Sequence, residues 1–503
     1  MSTLTGQKIK DTYDGLLKTT NSTTGLPALG KTVIQDGLGN NSALKLGRPL
    51  QGAEIDTSFK VNGDATIVGT DDIITQKKLE VTGRSSVIQA GTNSQAIRGN
   101  SYVFGKSLTT RSEGSFVVNT LNEAVGGNSF ASGTLTEATG GNSASFNHRT
   151  KASGLMSAAF GNKTEANGQY SAAFGTDGFA GGQNAFKIGE KGNASGARSF
   201  ASGFQGTASA NNSTVFGYQC QAQNPNSIAG GFTTKAGANN SLAFGTNSIT
   251  SGLNSVAFGN NARAQGENSV ALGNNSTASG QNSFAVNSNS QALGTNSSAF
   301  GSGYASGQNS FAHGSSIASG LRSASYGTTN QSRGQGTFSA GQGNNVLGEN
   351  AAAFGKNNIV DKPSSLAIGL NNNIQTGNSF VCGKDNITSG FYGNSIVGGT
   401  DNESQQISQL VVGRNNVATQ PNQAVFGQFA DATTNKSVFV VGVGNSDGVR
   451  NNALEVLDAA YPLVIMQGLA NSVSYTSDAL AAAGGVPIGG LYRNGNDIKI
   501  RLT

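Results

Sequence analysis

Side chains that could perform catalysis are few and far apart in this chain. Glycoside hydrolysis, for example, needs two carboxylates within about 5–10 Å of each other. Between residues 241 and 350 the only acidic residues are Glu267 and Glu349, and Asp361, Asp385 and Asp401 follow at scattered positions. Carboxylates from neighbouring turns or subunits could still meet, but this spacing favours a protein that is not an enzyme.

The residues that bind metals or act as nucleophiles are equally isolated. The two histidines are His148 and His313, and the two cysteines, Cys220 and Cys382, share no spacing motif. We therefore expect small buried cysteines, no cofactor and no metal site. The alternative left open is a metal held on a symmetry axis by His313 of several copies.

Charge and hydropathy argue against two classes of partner. The 503 residues carry a net charge of +5 and only 12% charged residues, with no dense Lys/Arg run, so we expect no nucleic-acid binding. No run of 18 apolar residues exists, which argues against membrane insertion. The start, MSTLTGQKIKDTYDG, has no apolar signal segment, so we expect synthesis in a cytoplasm without export by the usual route.

A repeat organises the chain. Many of its 73 glycines recur every seven residues, and asparagines keep the same interval. The clearest run is Gly245, Gly252, Gly259, Gly266, Gly273 and Gly280, with Asn240, Asn247, Asn254, Asn261, Asn268, Asn275, Asn282, Asn289 and Asn296. A coiled-coil heptad would not tolerate a glycine in every turn, at about 1 kcal/mol each.

Within each seven the residues alternate as in a strand. Ser255 and Ala257 share one face of NSVAFG, and Val256 and Phe258 share the other. Each seven is therefore predicted to be a short strand plus a bend, because Gly and Asn tolerate the positive φ of a bend. Apolar half-repeats alternate with polar ones such as NNARAQG, so the full period is fourteen.

The sequence thus predicts an all-β, parallel β-roll solenoid with 14-residue coils. Ala, Ser and Gly face an interior too narrow for anything larger, while the apolar pairs face outward and stack into a stripe. A protein in water does not expose so large a patch, so we expect the stripe to bind identical copies, two or three by this argument. The predicted interface comprises Leu242, Phe244, Val256, Phe258, Val270, Leu272, Phe284, Val286, Phe300, Phe311 and His313, which takes the position of Phe258 in its repeat.

The half-repeats NSLAFG, NSVAFG, NSVALG and NSFAVN, alternating with ARAQG and STASG, resemble the head domain of YadA-type trimeric autotransporter adhesins. The resemblance covers about residues 130–360 and weakens towards 445. It implies a left-handed roll and a homotrimer. Members of that family carry a secretion signal and a membrane anchor, which we do not find in the start or in the ending GGVPIGGLYRNGNDIKIRLT.

Both ends are instead similar to bacteriophage appendage proteins. TGQKIKDTYDGLLKTT and IQDGLGNNSALKLG resemble the opening of phage fibres, and DALAAAGGVPIGGLYRNGNDIKIRLT resembles a common ending of phage structural proteins. Residues 8–19 are predicted to form an amphipathic helix, which either docks in the virion or packs on its own trimer. The candidate attachment residues are Ile9, Tyr13, Leu16 and Leu17.

Four segments follow from these patterns. Residues 1–50 form an attachment segment, 51–125 a β-rich collar, 126–435 the YadA-like roll and 436–503 a cap with a hairpin around Asn494 and Gly495. The preferred function is a structural tail fibre of a phage virion, made in the host cytoplasm, that binds other virion proteins and a host-surface glycan or protein. The alternatives are a capsid-decorating head fibre, a bacterial trimeric adhesin and, last, a tailspike depolymerase.

Overall fold

The computed structural model describes residues 93–390, 393–432, 437–458, 463–466, 469 and 472–502, together with the backbone of five strands before residue 91. The chain divides into two units, Met1–Val81 and Thr82–Thr503. The first unit contains a four-stranded antiparallel sheet in the order Lys18–Thr19, Thr32–Gln35, Asn41–Leu46 and Ala53–Ile55.

The predicted N-terminal helix is wrong at its last two residues. Lys18–Thr19 forms a strand whose residue Lys18 pairs with Gln35, so its backbone bonds to a neighbouring strand instead of to a helical turn. Residues 8–17, which include the candidate attachment residues, lie outside the described residues.

The second unit is built on a parallel β-solenoid of about 24 turns with 14-residue coils, as the repeat predicts. Each coil has a long and a short strand, and each strand pairs in parallel with its counterpart in the next coil. The long strands are Val87–Ala90, Ser101–Lys106, Phe116–Thr120, Phe130–Thr134, Ala144–His148, Ala158–Asn162, Ala172–Thr176, Phe186–Glu190, Phe200–Phe204, Thr214–Tyr218, Ile228–Phe232, Leu242–Thr246, Val256–Asn260, Val270–Leu272, Phe284–Val286, Ser298–Phe300, Phe311–Ala318, Ala324–Ser332, Phe338–Gln342, Ala352–Lys356, Leu366–Leu370, Phe380–Lys384, Ile396–Thr400, Leu410–Arg414, Ala424–Gln428 and Ser437–Val443.

The short strands carry the polar half-repeats, and two of them are fused into the long strands Phe311–Ala318 and Ala324–Ser332. The separate short strands are Gln95–Ala96, Thr109–Thr110, Glu123–Ala124, Glu137–Ala138, Lys151–Ala152, Glu165–Ala166, Phe179–Ala180, Gly192–Ala194, Gly206–Ala208, Gln221–Ala222, Lys235–Ala236, Ile249–Thr250, Arg263–Ala264, Thr277–Ala278, Gln291–Ala292, Tyr304–Ala305, Asn345–Val346, Ile359–Val360, Asn373–Ile374, Ile387–Thr388, Glu403–Ser404 and Val417–Ala418.

The coil register begins earlier than the predicted start of the roll at residue 126. Val87–Ala90 already pairs in parallel with Ser101–Lys106, at the same fourteen-residue offset as later coils. Residues 91–125 differ from the repeat in sequence, yet Val103 and Val117 fill the interior positions that alanine takes later. The division into four segments otherwise stays a prediction.

Two classes of glycine shape the coils. Gly259, near the end of the apolar strand Val256–Asn260, has φ of 140°, and the asparagines at both corners, such as Asn254 and Asn261, have φ of 55°. Bends of this kind are what the sequence predicts. Gly266 is needed for a different reason, because a Cβ there would lie 1.9 Å from the carbonyl oxygen of Gly280 in the next coil. The bend explanation therefore accounts for only one of the two glycine series.

The interior is wider than predicted. Ala257 and Ala264 are fully buried between the two strands of their coil, as the alternation predicts. However, Val346 and Ile374 occupy interior positions in the later coils. In an earlier coil, Lys187 is also buried inside the roll. The prediction that nothing larger than Ala, Ser or Gly fits inside is therefore wrong. Two glycines, at positions 178 and 192, make room for the lysine, because a Cβ at these positions would lie 3.2 and 3.1 Å from its side-chain carbons.

A ladder of buried asparagines crosses the later coils. Each amide nitrogen donates to backbone carbonyls of its own coil and the next. Each amide oxygen accepts from the next asparagine, except that of Asn416, which accepts from Ala430 N. For Asn372, Nδ2 donates to the carbonyls of Ile368 and Gly383 at 3.1 Å, and Oδ1 accepts from Nδ2 of Asn386 at 3.0 Å. The members are Asn330, Asn344, Asn358, Asn372, Asn386, Asn402 and Asn416.

The solenoid ends in antiparallel strands. Ser437–Val443 pairs in parallel with Ala424–Gln428 and antiparallel with Asn452–Leu457, which pairs with Leu463–Ile465. This arrangement continues the sheet past the last coil, where a bare edge would otherwise invite pairing with other chains.

The C-terminal residues form one short helix and a hairpin. The helix, Asp478–Ala483, begins at Ser477, whose side chain accepts from Leu480 N. Leu491–Asn494 and Asp497–Ile500 form the hairpin predicted around Asn494 and Gly495, and Gly495 has φ of 65°. In the described parts of the chain, no helix is long and apolar enough to cross a membrane.

Candidate intermolecular surfaces

The outward side chains of the long strands form two adjacent columns, which we call the apolar stripe. The strand register aligns each apolar pair with the pair in the next coil, so Val256 and Phe258 lie beside Val270 and Leu272. The first column contains Tyr102, Phe116, Phe130, Phe186, Phe200, Ile228, Leu242, Val256, Val270, Phe284, Phe311, Phe338, Leu366, Phe380, Ile396, Leu410 and Phe439.

The second column runs beside the first. Its apolar members are Phe104, Val118, Phe146, Phe160, Phe174, Ile188, Phe216, Phe244, Phe258, Leu272, Val286, Phe300, Tyr326, Phe354, Ile368, Val412, Phe426 and Val441. Most lie outside the predicted interface set, although the same alternation in the sequence marks them.

All eleven predicted interface residues lie in the stripe. In the single chain Val256 is half-buried, and Phe258 is 38% exposed. His313 pairs with Phe300 in the register and so lies at the position of Phe258, as predicted. The structure thus brings the predicted residues together on one face, and their burial by a partner stays a prediction.

Aromatic rings stack along the stripe from coil to coil. The ring centroids of Phe146 and Phe160 are 4.5 Å apart, those of Phe160 and Phe174 are 5.0 Å apart, and both pairs are nearly parallel. Stacking at the strand spacing covers the faces of the rings and leaves their edges outward. The stripe therefore presents a ridged apolar surface.

A charged groove of about 620 Å³ lies on the short-strand side of the early coils. The strand register places Glu123 beside Glu137, and Glu137 beside Lys151. Each of these two carboxylates also lies against a cation, with Arg111 Nε 3.5 Å from Glu123 and Lys151 Nζ 3.1 Å from Glu137. Sequence reasoning missed this pair of glutamates, because it looked for acids between residues 241 and 401.

A second open groove lies further along the same side. It has a volume of about 480 Å³ and is lined by Gln205, Gln219, Gln221, Thr233 and Lys235, among others. Three aromatic side chains, Phe204, Tyr218 and Phe232, occupy the adjacent corner of successive coils. Sequence reasoning missed this site too, although in each of these three coils the aromatic residue directly follows a glycine with positive φ.

The buried groups inside the roll do not form a reactive site. Lys187 is fully buried, its Nζ donates to the carbonyl of Ile188 at 2.8 Å, and burial lowers its pKa to about 8. Cys220 is buried and its Sγ lies 3.2 Å from the carbonyl oxygen of Gly231, while Cys382 is half-buried in the second column of the stripe. Among the described residues, no group of three or more His, Cys, Asp or Glu side chains could hold a metal ion.

Comparison with known protein families supports the repeat assignment. The profile of the YadA head domain repeat matches residues 152–177, 194–219, 208–234, 222–248, 236–262 and 264–286. A search among curated proteins finds no match to the chain. The matched segments all lie within the solenoid, between residues 152 and 286, so this part of the chain carries the YadA head repeats that the sequence predicts.

Proposed function

We propose that this chain is a structural fibre subunit that assembles as a homotrimer and mediates adhesion to a host surface. The observation that carries the proposal is the apolar stripe, which continues through the stacked coils from Phe104 to Val441. Monomeric proteins rarely expose contiguous apolar patches beyond a few hundred Å². The match to the YadA head repeat supports three copies around one axis.

The stripe also supports a closed symmetric assembly over an open one. Each chain offers the same apolar face along its whole roll, and cyclic symmetry lets identical faces meet around an axis. A buried side chain of this size contributes roughly 1.5–3 kcal/mol. Because many such side chains would be buried together, a folded monomer is expected to be unstable.

The finer proposal is a bacteriophage tail fibre, made in the host cytoplasm and carried on the virion. It is supported by the similarity of both ends of the chain to phage appendage proteins. A fibre on the capsid would have the same architecture and differ only in its attachment site. The YadA head repeats favour one further candidate, a trimeric adhesin on a bacterial surface.

The proposal includes no catalytic role. Glycoside hydrolysis requires a pair of carboxyl groups that flank the scissile bond. In the charged groove, Glu123 and Glu137 are each engaged in an ion pair, with Arg111 at 3.5 Å and with Lys151 at 3.1 Å. Incubation of the protein with host capsule, followed by an assay for new reducing ends, tests this part, and release of such ends would contradict it.

The interface test compares two substitutions seven residues apart. Phe258→Asp places a charge in the stripe, next to the same charge from each symmetry mate, and is expected to prevent assembly. Gln265→Asp is the control, because Gln265 is exposed on the polar side of the roll. Sedimentation equilibrium should show a trimer for the wild type and the control only. If both variants assemble and melt like the wild type, the stripe is not the interface.

The location test separates a virion fibre from a bacterial adhesin. Antibodies against the roll should label tails in electron micrographs of virions if the chain is a tail fibre. Labelling of capsids would identify a head fibre, and labelling of bacterial surfaces would identify an adhesin. Purified protein should also compete for binding to host cells with whichever particle, virion or bacterium, the antibodies label. Competition is expected because the free protein and the particle would bind the same receptor.

A further inference from the structure

Phe204, Tyr218 and Phe232 form an aromatic rim outside both columns of the stripe. Their ring centroids are 5.0 and 4.8 Å apart, and the planes differ by less than 10°. Tyr218 is 39% exposed and Phe232 is 47% exposed. The same position in the next two coils is taken by Thr246 and Asn260, so the rim is a local feature of three coils.

The groove beside this rim is lined by groups that both donate and accept hydrogen bonds. Gln219 Nε2 donates to Gln205 Oε1 at 2.7 Å, and Gln221 Oε1 accepts from Gln223 Nε2 at 3.1 Å. Each of these bonds uses one of the two polar atoms of each amide, and Gln205, Gln219 and Gln221 all line the groove. Amides and hydroxyls at neighbouring positions suit a ligand rich in hydroxyl groups.

The same region carries more positive than negative charge. No Asp or Glu occurs in residues 191–266, which contain Lys191, Arg198, Lys235 and Arg263. Lys235 and Arg263 face outward on short strands two coils apart, and Lys191 Nζ lies 5.4 Å from the ring centroid of Phe204. Lys191 is also 3.5 Å from Glu190, the last acid before the segment. The field at the groove is therefore expected to attract anions.

We infer that this groove binds a linear, carboxylate-bearing oligosaccharide that lies along the stack of coils. Lys235 and Arg263 pair with sugar carboxylates, the glutamine amides bond to hydroxyls, and the rim covers the apolar side of the sugar rings. Gln205, Gln219 and Thr233 follow one another at the coil spacing of about 4.8 Å, so successive sugars each meet a hydrogen-bonding side chain. The inference rests on the proposed function as an adhesin and names the class of its ligand.

Calorimetric titration of the full-length protein tests the inference. The probes are an oligogalacturonate and a neutral maltooligosaccharide of equal length. We expect the acidic probe alone to bind, and to bind more weakly at high salt. The double variant Lys235→Gln, Arg263→Gln should lower affinity about tenfold. Lys356→Gln with Lys362→Gln removes the same charge from exposed sites elsewhere and should leave the affinity unchanged.

Tyr218→Ala separates a ligand site from a contact between subunits. It should weaken binding of the acidic probe while the oligomer and its melting temperature stay unchanged. Loss of the oligomer in this variant would overturn the inference, because the rim would then be covered by another copy. Equal binding of both probes, no binding of the acidic one, or no effect of the charge variants would also overturn it. If in any of these cases the wild-type protein still competed for binding to host cells, the proposed adhesive function would stand and only the ligand class would be wrong.

Discussion

Lys187 is a cationic side chain buried where neighbouring coils have alanine. The register aligns it with Ala173 and Ala201, and its amine has one hydrogen bond, to the carbonyl of Ile188. Removal of a charge from water disfavours the charged form, so burial lowers the pKa from 10.5 to about 8. At neutral pH the amine is therefore still mostly protonated, although its buried surroundings favour the neutral form.

This placement makes stability depend on pH. Between about pH 8 and 10.5 the unfolded chain binds more protons than the folded one, so the free energy of unfolding rises with pH. That stabilisation, on the order of 3 kcal/mol, is lost progressively as pH falls from 10.5 to about 8. Lys187→Met should therefore be the more stable protein at neutral pH and should lack this rise. Guanidinium unfolding at neutral and alkaline pH measures both effects.

Lys235→Met, at an exposed position, is the control for this prediction. It should change neither the midpoint of guanidinium unfolding nor the dependence of that midpoint on pH. Equal midpoints for the Lys187 variant and the wild type at neutral pH would mean that the amine reaches water. The sequence shows only a lysine at a position of the repeat where alanine is the rule. Its burial follows from Gly178 and Gly192, which lie nine and five residues away in the sequence but beside it in the roll.

Gly266 illustrates a second requirement at the residue scale. A methyl group there would lie 1.9 Å from the carbonyl oxygen of Gly280, and backbone cannot give way by that much. Gly266→Ala should therefore separate two coils and expose them to protease. Limited proteolysis with mass spectrometry should locate new cuts near residues 252–294. The control is Gly448→Ala, since a Cβ at that position would have no atom within 4 Å; equal resistance of both variants would contradict the packing argument.

At the scale of the element, two asparagines that are adjacent in the sequence have different structural roles. In Asn371-Asn372 the first residue makes the bend, with φ of 55°, and the second is buried in the ladder. The sequence predicts the bend residue from its interval of seven. It does not predict the buried one, because a polar amide inside a roll is favourable only when neighbouring coils supply its partners.

Removal of one ladder member should destabilise several coils. Asn372→Ala leaves carbonyls of Ile368 and Gly383 without their amide donor and interrupts the chain of bonds to Asn386. Each buried group left unpaired costs about 1–3 kcal/mol, so the loss should be several kcal/mol. Hydrogen exchange of the surrounding amides measures it. Gln375→Ala, at an exposed position nearby, should have no effect, and equal exchange in both variants would show that water replaces the side chain.

At the scale of the molecule, the alternation of apolar and small residues predicts the roll, its period and its apolar stripe. Val256 and Ala257 suffice to separate the outer face from the inner one, because strand geometry turns successive side chains to opposite sides. The alternation does not predict how many chains meet, since a stripe on one subunit is compatible with two or three partners. That number enters through the resemblance to YadA heads.

The proposed attachment to a virion gives a prediction at this scale. The coils from Val87 onward pair with one another, so removal of residues 1–50 should leave a folded, soluble oligomer. The truncated chain is expected to be absent from purified virions, because the segment that resembles phage openings has been removed. Immunoblots of particles from a complemented deletion phage measure incorporation, with the full-length chain as the control. Normal copy number of the truncated chain would place the attachment site elsewhere.

The hydrogen bonds between coils run along the stack, and this direction decides how the roll responds to force. Leu242 N donates to the carbonyl of Ser255, one coil further on, and the same pattern repeats throughout. Tension applied to the two ends loads these coil-to-coil contacts in series, so every coil carries the same force and the coils open one at a time, beginning with the weakest. Each opened coil would release fourteen residues, about 45 Å of extended chain. A subunit held at both ends would thus lengthen in steps. Each step would lower the tension that a rigid rod would pass on to its attachment point.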